Sequence, residues 1–309
     1  MEINKEELGN LIRGMRAAYA RGENVMAWAR DNCTKDDRTV SALIAYDLQA
    51  GTYVQNARND PAYIDSWSAQ MAGLLDPYLA EGDRIMEAGV GEATTLAGLM
   101  KAITAQGISA YGFDLSRSRI SVAQKWMDEN SVKARLFVGD LFSIPVADGS
   151  IDVVYTSHSL EPNLGKEEIA IKELLRVARK AFVLVEPCYE LAPKEERQRM
   201  RKHGYVRGLK EAAESLGANV ADYRLLDVCD RPLLNPSGVI TLVKSGLSNG
   251  RNTERTDIWK CPLTGSPLIE KEDYFYADTA GIAYPVLQSV PLLRPEHAVI
   301  ALKLSLNKK

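Results

Sequence analysis

The segment RIMEAGVGEATTLAGLM, at residues 84–100, constrains the fold of this chain more than any other segment. It is a short apolar run that ends in the acid Glu87, followed by Gly89 and Gly91 and then by a helical pattern. This order predicts a buried strand, a tight turn and a helix. The glycines lack the Cβ atoms that would collide with a closely bound ligand. On its own, the turn is compatible with any nucleotide-like ligand.

Strands and helices alternate after this turn. Apolar runs predict strands at 84–87, 110–114, 134–138, 151–156 and 181–185, and helical patterns fill 94–105, 118–130 and 167–178 between them. Near-continuous apolar strands that alternate with helices indicate a parallel sheet covered on both faces. Two later segments, Tyr223–Val228 and Gly238–Ser245, flank a short turn region, which favours an antiparallel pair at the sheet edge. We therefore predict an α/β fold with a Rossmann-like, seven-stranded, mostly parallel sheet and an antiparallel last strand.

The sequence divides into four parts. Residues 1–75 carry apolar side chains at helical spacing and are predicted to form a helical extension or lid. Residues 76–247 hold the predicted sheet, and 248–256 form a polar, glycine-containing linker. Residues 257–309 are rich in turns, aromatic and β-branched side chains, which indicates a small β-rich module.

Composition favours a cytoplasmic protein. The 309 residues carry a formal net charge of -3, which gives no general attraction to nucleic acid or to an anionic membrane. The N-terminus lacks the apolar core of a secretion signal, and no apolar run approaches the length of a membrane span. The four cysteines, Cys33, Cys188, Cys229 and Cys261, form no CxxC pair, which favours reduced thiols.

Two further acids follow the second and third predicted strands. Asp114 ends the second strand, where a carboxylate can accept hydrogen bonds from both hydroxyls of a ribose. Asp140 lies between Gly139 and Leu141, and its carboxylate suits the amine of an adenine while Leu141 packs on the ring. Singly, Asp114 is explained as a helix cap and Asp140 as a turn acid. Their occurrence together with the glycine turn favours a shared ligand, since ligands bind at the carboxyl ends of such strands.

These residues together resemble the class I S-adenosylmethionine-dependent methyltransferases. The resemblance covers about 76–245 and rests on EAGVGEA, GFDLS, GDLFSIPVADGSIDVVYTSHSLEP and the terminal strand pair. It implies a domain that binds S-adenosylmethionine and releases S-adenosylhomocysteine. In this family the acid corresponding to Glu87 supports the amino-acid end of the cofactor, Asp114 would hold the ribose, and Asp140 with Leu141 would hold the adenine. The other cofactor-binding residues implied are Ala88, Gly89, Gly91, Thr94, Leu115, Gly139 and Ser157.

Two tyrosines in YDLQAGTY and one histidine are further candidates. Tyr46 and Tyr53 resemble the lid tyrosines that cover the cofactor in this family, and an aromatic face attracts a sulfonium. Packing within the helical segment explains both tyrosines equally well. His158 follows the fourth strand, in the loop that faces the transferring methyl group in the family, and is a candidate general base. Packing against the cofactor is the alternative for His158.

The acceptor site is predicted from three loops. Glu161 and Asn163 share the His158 loop. Gly204 interrupts the charged helical stretch after Pro193, and places beside the break His203 and Tyr205 as catalytic candidates and Arg207 as a substrate ligand. Arg231 and Asn235 precede the last strand and can reach the substrate from there. The remaining arginines near 194–202 are interpreted as a solvated helix face.

The C-terminal segment resembles the small zinc-ribbon-like family that activates tRNA and translation-factor methyltransferases. The residues that carry this resemblance are CPLTGSPL, GIAYPVLQSVPLL and PEHA, at 259–298. Cys261 is followed by Thr264 where a second cysteine would stand, and no later cysteine exists. One thiolate cannot hold a structural zinc ion, which needs four ligands. We therefore predict that the segment binds no metal.

The sequence thus predicts a methyltransferase that acts on an oxygen or nitrogen of a small molecule, such as a sugar, a nucleotide-sugar or a secondary metabolite. Two alternatives stay open. One is a methyltransferase of RNA or of a translation protein with its activator module fused; the other is a cofactor-binding scaffold without catalysis. The Asn/Asp-Pro-Pro-aromatic motif is absent after the fourth strand, which disfavours methylation of DNA adenine or glutamine. Neither nucleic acid nor membrane is expected as a partner, and a homodimer is left open.

Overall fold

The computed structural model describes residues 5–32, 38–161, 163–228, 236–244 and 258–304. Five helices come first: α1 (Lys5–Ala20), α2 (Val25–Asn32), α3 (Arg38–Leu48), α4 (Thr52–Asn59) and α5 (Pro61–Leu75). The first three pack on one another around a small core that contains Leu11, Met15 and Val40. Helix α5 instead packs on the sheet domain through Trp67 and Met71. The predicted helical extension is therefore present, and its last helix is part of the main core.

Seven strands form the main sheet. They are β1 (Arg84–Ala88), β2 (Ser109–Asp114), β3 (Ala134–Val138), β4 (Ile151–Ser157), β5 (Ala178–Pro187), β6 (Asn219–Leu225) and β7 (Ser237–Val243). Their order across the sheet is β3-β2-β1-β4-β5-β7-β6. Strands β1 to β5 are parallel, whereas β7 is antiparallel to both β5 and β6. The predicted mixed sheet with an antiparallel last strand is confirmed.

Five helices connect these strands and cover both faces of the sheet. They are α6 (Thr94–Ala102), α7 (Arg117–Glu129), α8 (Glu167–Val177), α9 (Lys194–His203) and α10 (Leu209–Ser215). The strands are apolar on both faces because both are covered: Met86 and Val154 belong to the core beneath α8, and Ile85 and Val153 to the core beneath α5 and α6. This arrangement brings the carboxyl ends of β1 to β4 to one edge of the domain.

A small β-rich unit follows. It contains β8 (Ile269–Glu270), β9 (Tyr274–Ala277), β10 (Ile282–Leu287), β11 (Val290–Pro291) and β12 (Val299–Ile300), all paired antiparallel. Trp259 packs edge-on to Phe137 at 5.2 Å between ring centroids and to Phe275 at the same distance. The unit shares the core of the main domain on the side of β3. The predicted β-rich module is confirmed as structure, and its resemblance to an activator stays a prediction.

Some predicted features fall outside the described residues. The linker at 248–256 is among them, as are Cys33 and Cys229. Cys188 and Cys261 are buried and free. Within the described residues, no helix is long and apolar enough to cross a membrane, and the predicted compartment stays a prediction.

Candidate active site

A cavity of about 840 Å³ opens at the carboxyl ends of β1 to β4, beneath α3, α4 and α5. This volume lies within the range of about 300–1,000 Å³ that is usual for sites that bind small molecules. Most of the predicted site residues line it. They are Tyr46, Tyr53, Glu87, Gly89, Gly91, Thr94, Asp114, Leu115, Gly139, Asp140, Leu141, Ser157, His158, Glu161 and Asn163.

The glycine turn after β1 forms one wall of the cavity. Gly89 and Gly91 adopt φ angles of +75° and +54°, in the left-handed region that glycine tolerates best. A Cβ built at Gly89 would lie 2.3 Å from the Cβ of Ser159, so a larger residue does not fit there. Ala93 also has a positive φ, +58°, at the N-cap of α6. The turn thus brings backbone to the cavity, as its sequence predicts.

Glu87 is a buried carboxyl group at the end of β1. Its side chain is 2% exposed and accepts a hydrogen bond of 2.7 Å from the phenol of Tyr155. Burial raises the pKa of Glu87 to about 8, although the Tyr155 hydrogen bond opposes this shift. The negative charge of Asp114 raises the same pKa further. A ligand cation in the cavity would therefore be favoured by these two carboxyl groups.

Asp114 connects the second strand to the glycine turn. Its carboxylate accepts the N–H of Gly91 at 3.1 Å and the N–H of Ser116 at 2.9 Å. Ser116, rather than Asp114, caps α7, because the Ser116 side chain accepts the N–H of Arg119. Burial raises the pKa of Asp114, against these hydrogen bonds. The helix-cap explanation of Asp114 is therefore wrong.

Asp140 holds the turn that follows β3. Its carboxylate accepts the N–H of Phe142 at 2.9 Å. Asp140 therefore stabilises the turn, as one of the two explanations from the sequence states. Gly139 before it is closely packed, since an added Cβ would lie 3.0 Å from the ring of Phe137 and 3.2 Å from that of Phe113. Asp140 also lines the cavity, next to Leu141. The acid that holds the turn is thus also exposed to the cavity, and its contact with a ligand stays a prediction.

The helical extension is attached to the loops around the cavity by two acids. Glu92 is 1% exposed and accepts the N–H of Gly51 and the N–H of Val54, each at 2.8 Å, at the start of α4. Asp47, at the end of α3, accepts the hydroxyl of Ser116 at 3.1 Å. Glu92 was not predicted from the sequence. The feature that could have indicated it is its position directly after the second glycine of the turn.

The guanidinium of Arg119 lies against Tyr46 and Tyr53, the two aromatic residues predicted to face a sulfonium. Its guanidinium carbon lies 4.8 Å from the ring centroid of Tyr46 and 4.6 Å from that of Tyr53. Its Nε donates to the backbone oxygen of Tyr46 at 3.2 Å. Burial raises the pKa of Tyr46 above its ordinary value. Both rings line the cavity, and each already has a cation from the protein against it.

The far end of the cavity is aromatic and contains His158. The rings of Tyr63 and Trp67 stack at 6.3 Å, and Trp67 meets His158 edge-on at 5.7 Å. The Nε2 of His158 lies 2.7 Å from the hydroxyl of Ser237. His158 has a φ of +56°, a conformation uncommon outside glycine that asparagine, aspartate and histidine adopt more often than other residues. Tyr63, Trp67 and Asp60 were missed because α5 reaches the cavity only through tertiary packing.

The remaining predicted residues lie elsewhere. Ala88 is buried in β1, where its backbone oxygen accepts the hydroxyl of Ser159 at 2.7 Å. Gly204 ends α9 with a φ of +69°, and the rings on either side of it, His203 and Tyr205, lie 5.9 Å apart between centroids.

Arg207 packs over the ring of Tyr189 at 5.6 Å. His203, Tyr205 and Arg207 are not among the described residues that line the cavity. Arg231 and Asn235 lie outside the described residues. The described residues contain no group of three or more His, Cys, Asp or Glu side chains that could hold a metal ion.

The residues present fit S-adenosylmethionine. The buried Glu87 at the end of β1, and half-buried acids at the end of β2 and after β3, suit in order the ammonium, the ribose hydroxyls and the adenine amine of that molecule. The glycine turn has no Cβ to fill the same space. The fold and the residues that line the cavity are therefore compatible with the binding of S-adenosylmethionine by this domain.

Comparison with known proteins agrees. Residues 85–181, about a third of the chain, match the family described as methyltransferase domain. A curated relative, the uncharacterized 37.1 kDa protein in transposon TN4556 of Streptomyces fradiae, is 29% identical over 127 residues. That match spans 40% of this chain and 35% of the relative, so about a third of the relative's length is covered.

Two solved structures share the fold. One is a chain from the complex between the Haloferax volcanii Trm112 methyltransferase activator and its methyltransferase partner, with a TM-score of 0.51 and 19% identity. The match covers 64% of this chain and 96% of that one. The other is magnesium protoporphyrin IX methyltransferase from Synechocystis, with S-adenosylhomocysteine bound, a TM-score of 0.50 and 18% identity. This match covers 68% of the present chain and 100% of the Synechocystis chain.

Proposed function

We propose that this protein transfers a methyl group from S-adenosylmethionine to an oxygen or nitrogen of a small molecule that binds in the same cavity. The observation that carries the proposal is the convergence of Glu87, Asp114 and Asp140 on one cavity that continues to Trp67 and His158. The three acids are proposed to bind the donor, and the aromatic end of the same cavity is proposed to bind the acceptor. The domain limits predicted from the sequence, 76–247 for this domain and 257–309 for the C-terminal unit, are part of the proposal.

The residues around the cavity have distinct tasks in this reaction. When bound, S-adenosylmethionine supplies a methyl group activated by a sulfonium. Glu87, paired with Tyr155, would hold the ammonium, and Asp114 would hold the ribose through the oxygens that also orient the glycine turn. Holding donor and acceptor in line supplies most of the rate enhancement in such a transfer. The protein's task is therefore mainly to fix geometry and to exclude water.

His158 is the proposed acceptor of the proton that leaves the nucleophile. It lines the cavity, and the Ser237 hydroxyl at 2.7 Å fixes the orientation of its ring. The edge contact with Trp67 restricts the ring from the other side. Glu161 and Asn163 line the same region and are proposed to bind the acceptor. When bound, S-adenosylmethionine would supply the methyl group with its sulfur as the leaving group, and the proton of the nucleophile would pass to the imidazole of His158 or to water.

Ligand-dependent stability tests the cofactor part of this proposal. S-adenosylhomocysteine at millimolar concentration is expected to raise the melting temperature by mass action. Asp114→Asn is expected to abolish that increase, because the amide cannot accept both ribose hydroxyls. Asp128→Asn is the matched control, since it makes the same change at an exposed position of α7. A melting temperature that neither S-adenosylmethionine nor S-adenosylhomocysteine alters would refute the proposal.

The acceptor class is tested separately. Methyl transfer from labelled S-adenosylmethionine is measured with pools of small hydroxylated and amino compounds, with bulk tRNA and with ribosomal proteins. Label in the small-molecule pool supports the proposal. Label only in RNA or protein supports the fused-activator alternative, and donor binding without any transfer supports a scaffold.

A further inference from the structure

The C-terminal unit reaches the donor cavity through the segment that follows β11. Leu292 forms a parallel bridge with Val138, the last residue of β3. The N–H of Leu293 donates to the backbone oxygen of Val138 at 2.9 Å. Arg294 and Glu296, directly after this bridge, line the same cavity as the predicted donor-binding acids. The C-terminal unit is therefore part of the wall of the site.

The register of this bridge brings two opposite charges to the same level. In a parallel pairing both chains advance in the same direction. Two residues beyond the bridged pair, Asp140 follows Val138 and Arg294 follows Leu292. Both side chains line the cavity, Asp140 from the main domain and Arg294 from the C-terminal unit.

Arg294 is buried, and its guanidinium has few hydrogen-bond partners among the described residues. The residue is 4% exposed, and its Nε has no hydrogen-bond partner among the described residues. Its Nη2 donates to Glu296 at 3.3 Å, a long contact to a carboxylate that is itself half exposed. A buried guanidinium is costly unless charged or polar groups satisfy it. A ligand that accepts hydrogen bonds here would remove that cost.

We propose that Arg294 is a donor-binding residue that contacts the adenine ring of S-adenosylmethionine beside Asp140. This inference rests on the proposed function, because it takes the cavity as the site of the methyl donor. Adenine presents an amine as donor, with ring nitrogens that accept on either side of it. Asp140 accepts from the amine, and Arg294 donates to a flanking ring nitrogen. Opposite charges that contact neighbouring atoms of one base discriminate strongly between bases.

Binding of S-adenosylhomocysteine, measured by calorimetry, is the first test. Arg294→Met is expected to weaken binding about 10- to 100-fold, the usual effect of losing a hydrogen bond from a charged group. Arg294→Lys is expected to weaken it less. Arg135→Met is the matched control: Arg135 also joins the main domain to the C-terminal unit, through Glu270 and the ring of Trp259, but lies outside the cavity lining. Equal affinities for Arg294→Met and Arg135→Met would overturn the proposal.

A second test separates contact with the base from a purely structural role. Analogues of S-adenosylhomocysteine that lack the ring nitrogen N1 or N7 are titrated into wild type and Arg294→Met. For the nitrogen that Arg294 contacts, removal should weaken binding to wild type about tenfold and leave binding to the variant nearly unchanged. Equal losses in both proteins for both analogues would refute the contact. Failure of wild type to bind S-adenosylhomocysteine itself would refute the proposed function instead.

Discussion

The phenol of Tyr155 donates a hydrogen bond of 2.7 Å to the carboxyl group of Glu87 deep beneath the glycine turn. Both side chains are almost fully buried, Glu87 at 2% and Tyr155 at 0% exposure. The partner of Glu87 is thus a neutral donor, which orients the carboxyl group and brings no positive charge to it. A cationic ligand group would complement this pair, and a pH dependence of binding is expected from it.

Glu87→Gln tests this relationship through ligand-free stability. Burial raises the pKa of Glu87 to about 8 in the folded protein, above its value in the unfolded chain. A raised carboxyl pKa contributes stability that is complete below about pH 4.5 and is lost as the pH rises to about 8. We expect the free energy of unfolding of wild type to fall over this window by more than that of the glutamine variant, by a few kcal/mol at most. Urea titrations at pH 5 and pH 8 measure the difference.

The same carboxyl group is expected to release a proton when a cationic ligand binds. Calorimetry in two buffers of different ionisation enthalpy counts that proton, and Glu87→Gln should release fewer. The count would remain unchanged in the variant if another group were responsible, such as Glu186, whose pKa burial also raises to about 8.

Glu92→Ala should loosen the helical extension and weaken donor binding together. The carboxylate holds two N–H groups at the start of α4, so its loss is expected to cost about 1–2 kcal/mol of stability. The control is Glu129→Ala, which breaks the Arg58–Glu129 ion pair between α4 and α7. Both partners of that pair are about half exposed, so about 0–1 kcal/mol is expected there. Thermal melts with and without S-adenosylhomocysteine measure both effects.

Gly89→Ala is expected to damage the site beyond the cost of a left-handed backbone. The new Cβ would overlap Ser159, whose hydroxyl bonds to the oxygen of Ala88. Gly149 has a similar φ of +57° and has no atom within 4 Å of an added Cβ. Gly149→Ala should therefore cost only about 1 kcal/mol, and Gly89→Ala distinctly more, with loss of ligand binding. Equal destabilisation of the two variants would show that steric overlap at Gly89 is unimportant.

His158→Asn separates the proposed base from a packing role. Asparagine tolerates the positive φ of this position, so the fold should be retained. We expect kcat to fall about 100-fold or more while the affinity for S-adenosylhomocysteine changes little. The pH profile of kcat should also lose the part that depends on titration of the His158 imidazole. An unchanged kcat would assign His158 to packing against Trp67.

The parts of the site that the sequence predicted share one property: they are local to the strand ends. A strand, a turn and an acid follow one another in the chain, so Glu87, Asp114 and Asp140 could be identified from spacing. Their neighbours from other parts of the chain could not. Trp67 reaches the cavity because α5 packs on the sheet, and Arg294 because of a bridge between residues far apart in sequence.

The tyrosines show a different limit. The resemblance of YDLQAGTY to a lid segment suggested that Tyr46 and Tyr53 face the cavity, with packing in the helical segment as the alternative, and both line the cavity. It could not indicate that Arg119, on a helix about seventy residues later, would place its guanidinium against both rings. Competition between a protein cation and a ligand cation for the same aromatic face depends on packing that periodicity does not encode.

The bridge between Val138 and Leu292 also affects solubility. Strand β3 is the outermost strand of the main sheet, and an outer strand offers unpaired N–H and C=O groups to any other chain. The C-terminal unit occupies these groups at the end of β3 and packs Trp259 beside Phe137. Without this unit, the main domain would expose both a pairing surface and an aromatic patch, so we expect the C-terminal unit to protect it against self-association.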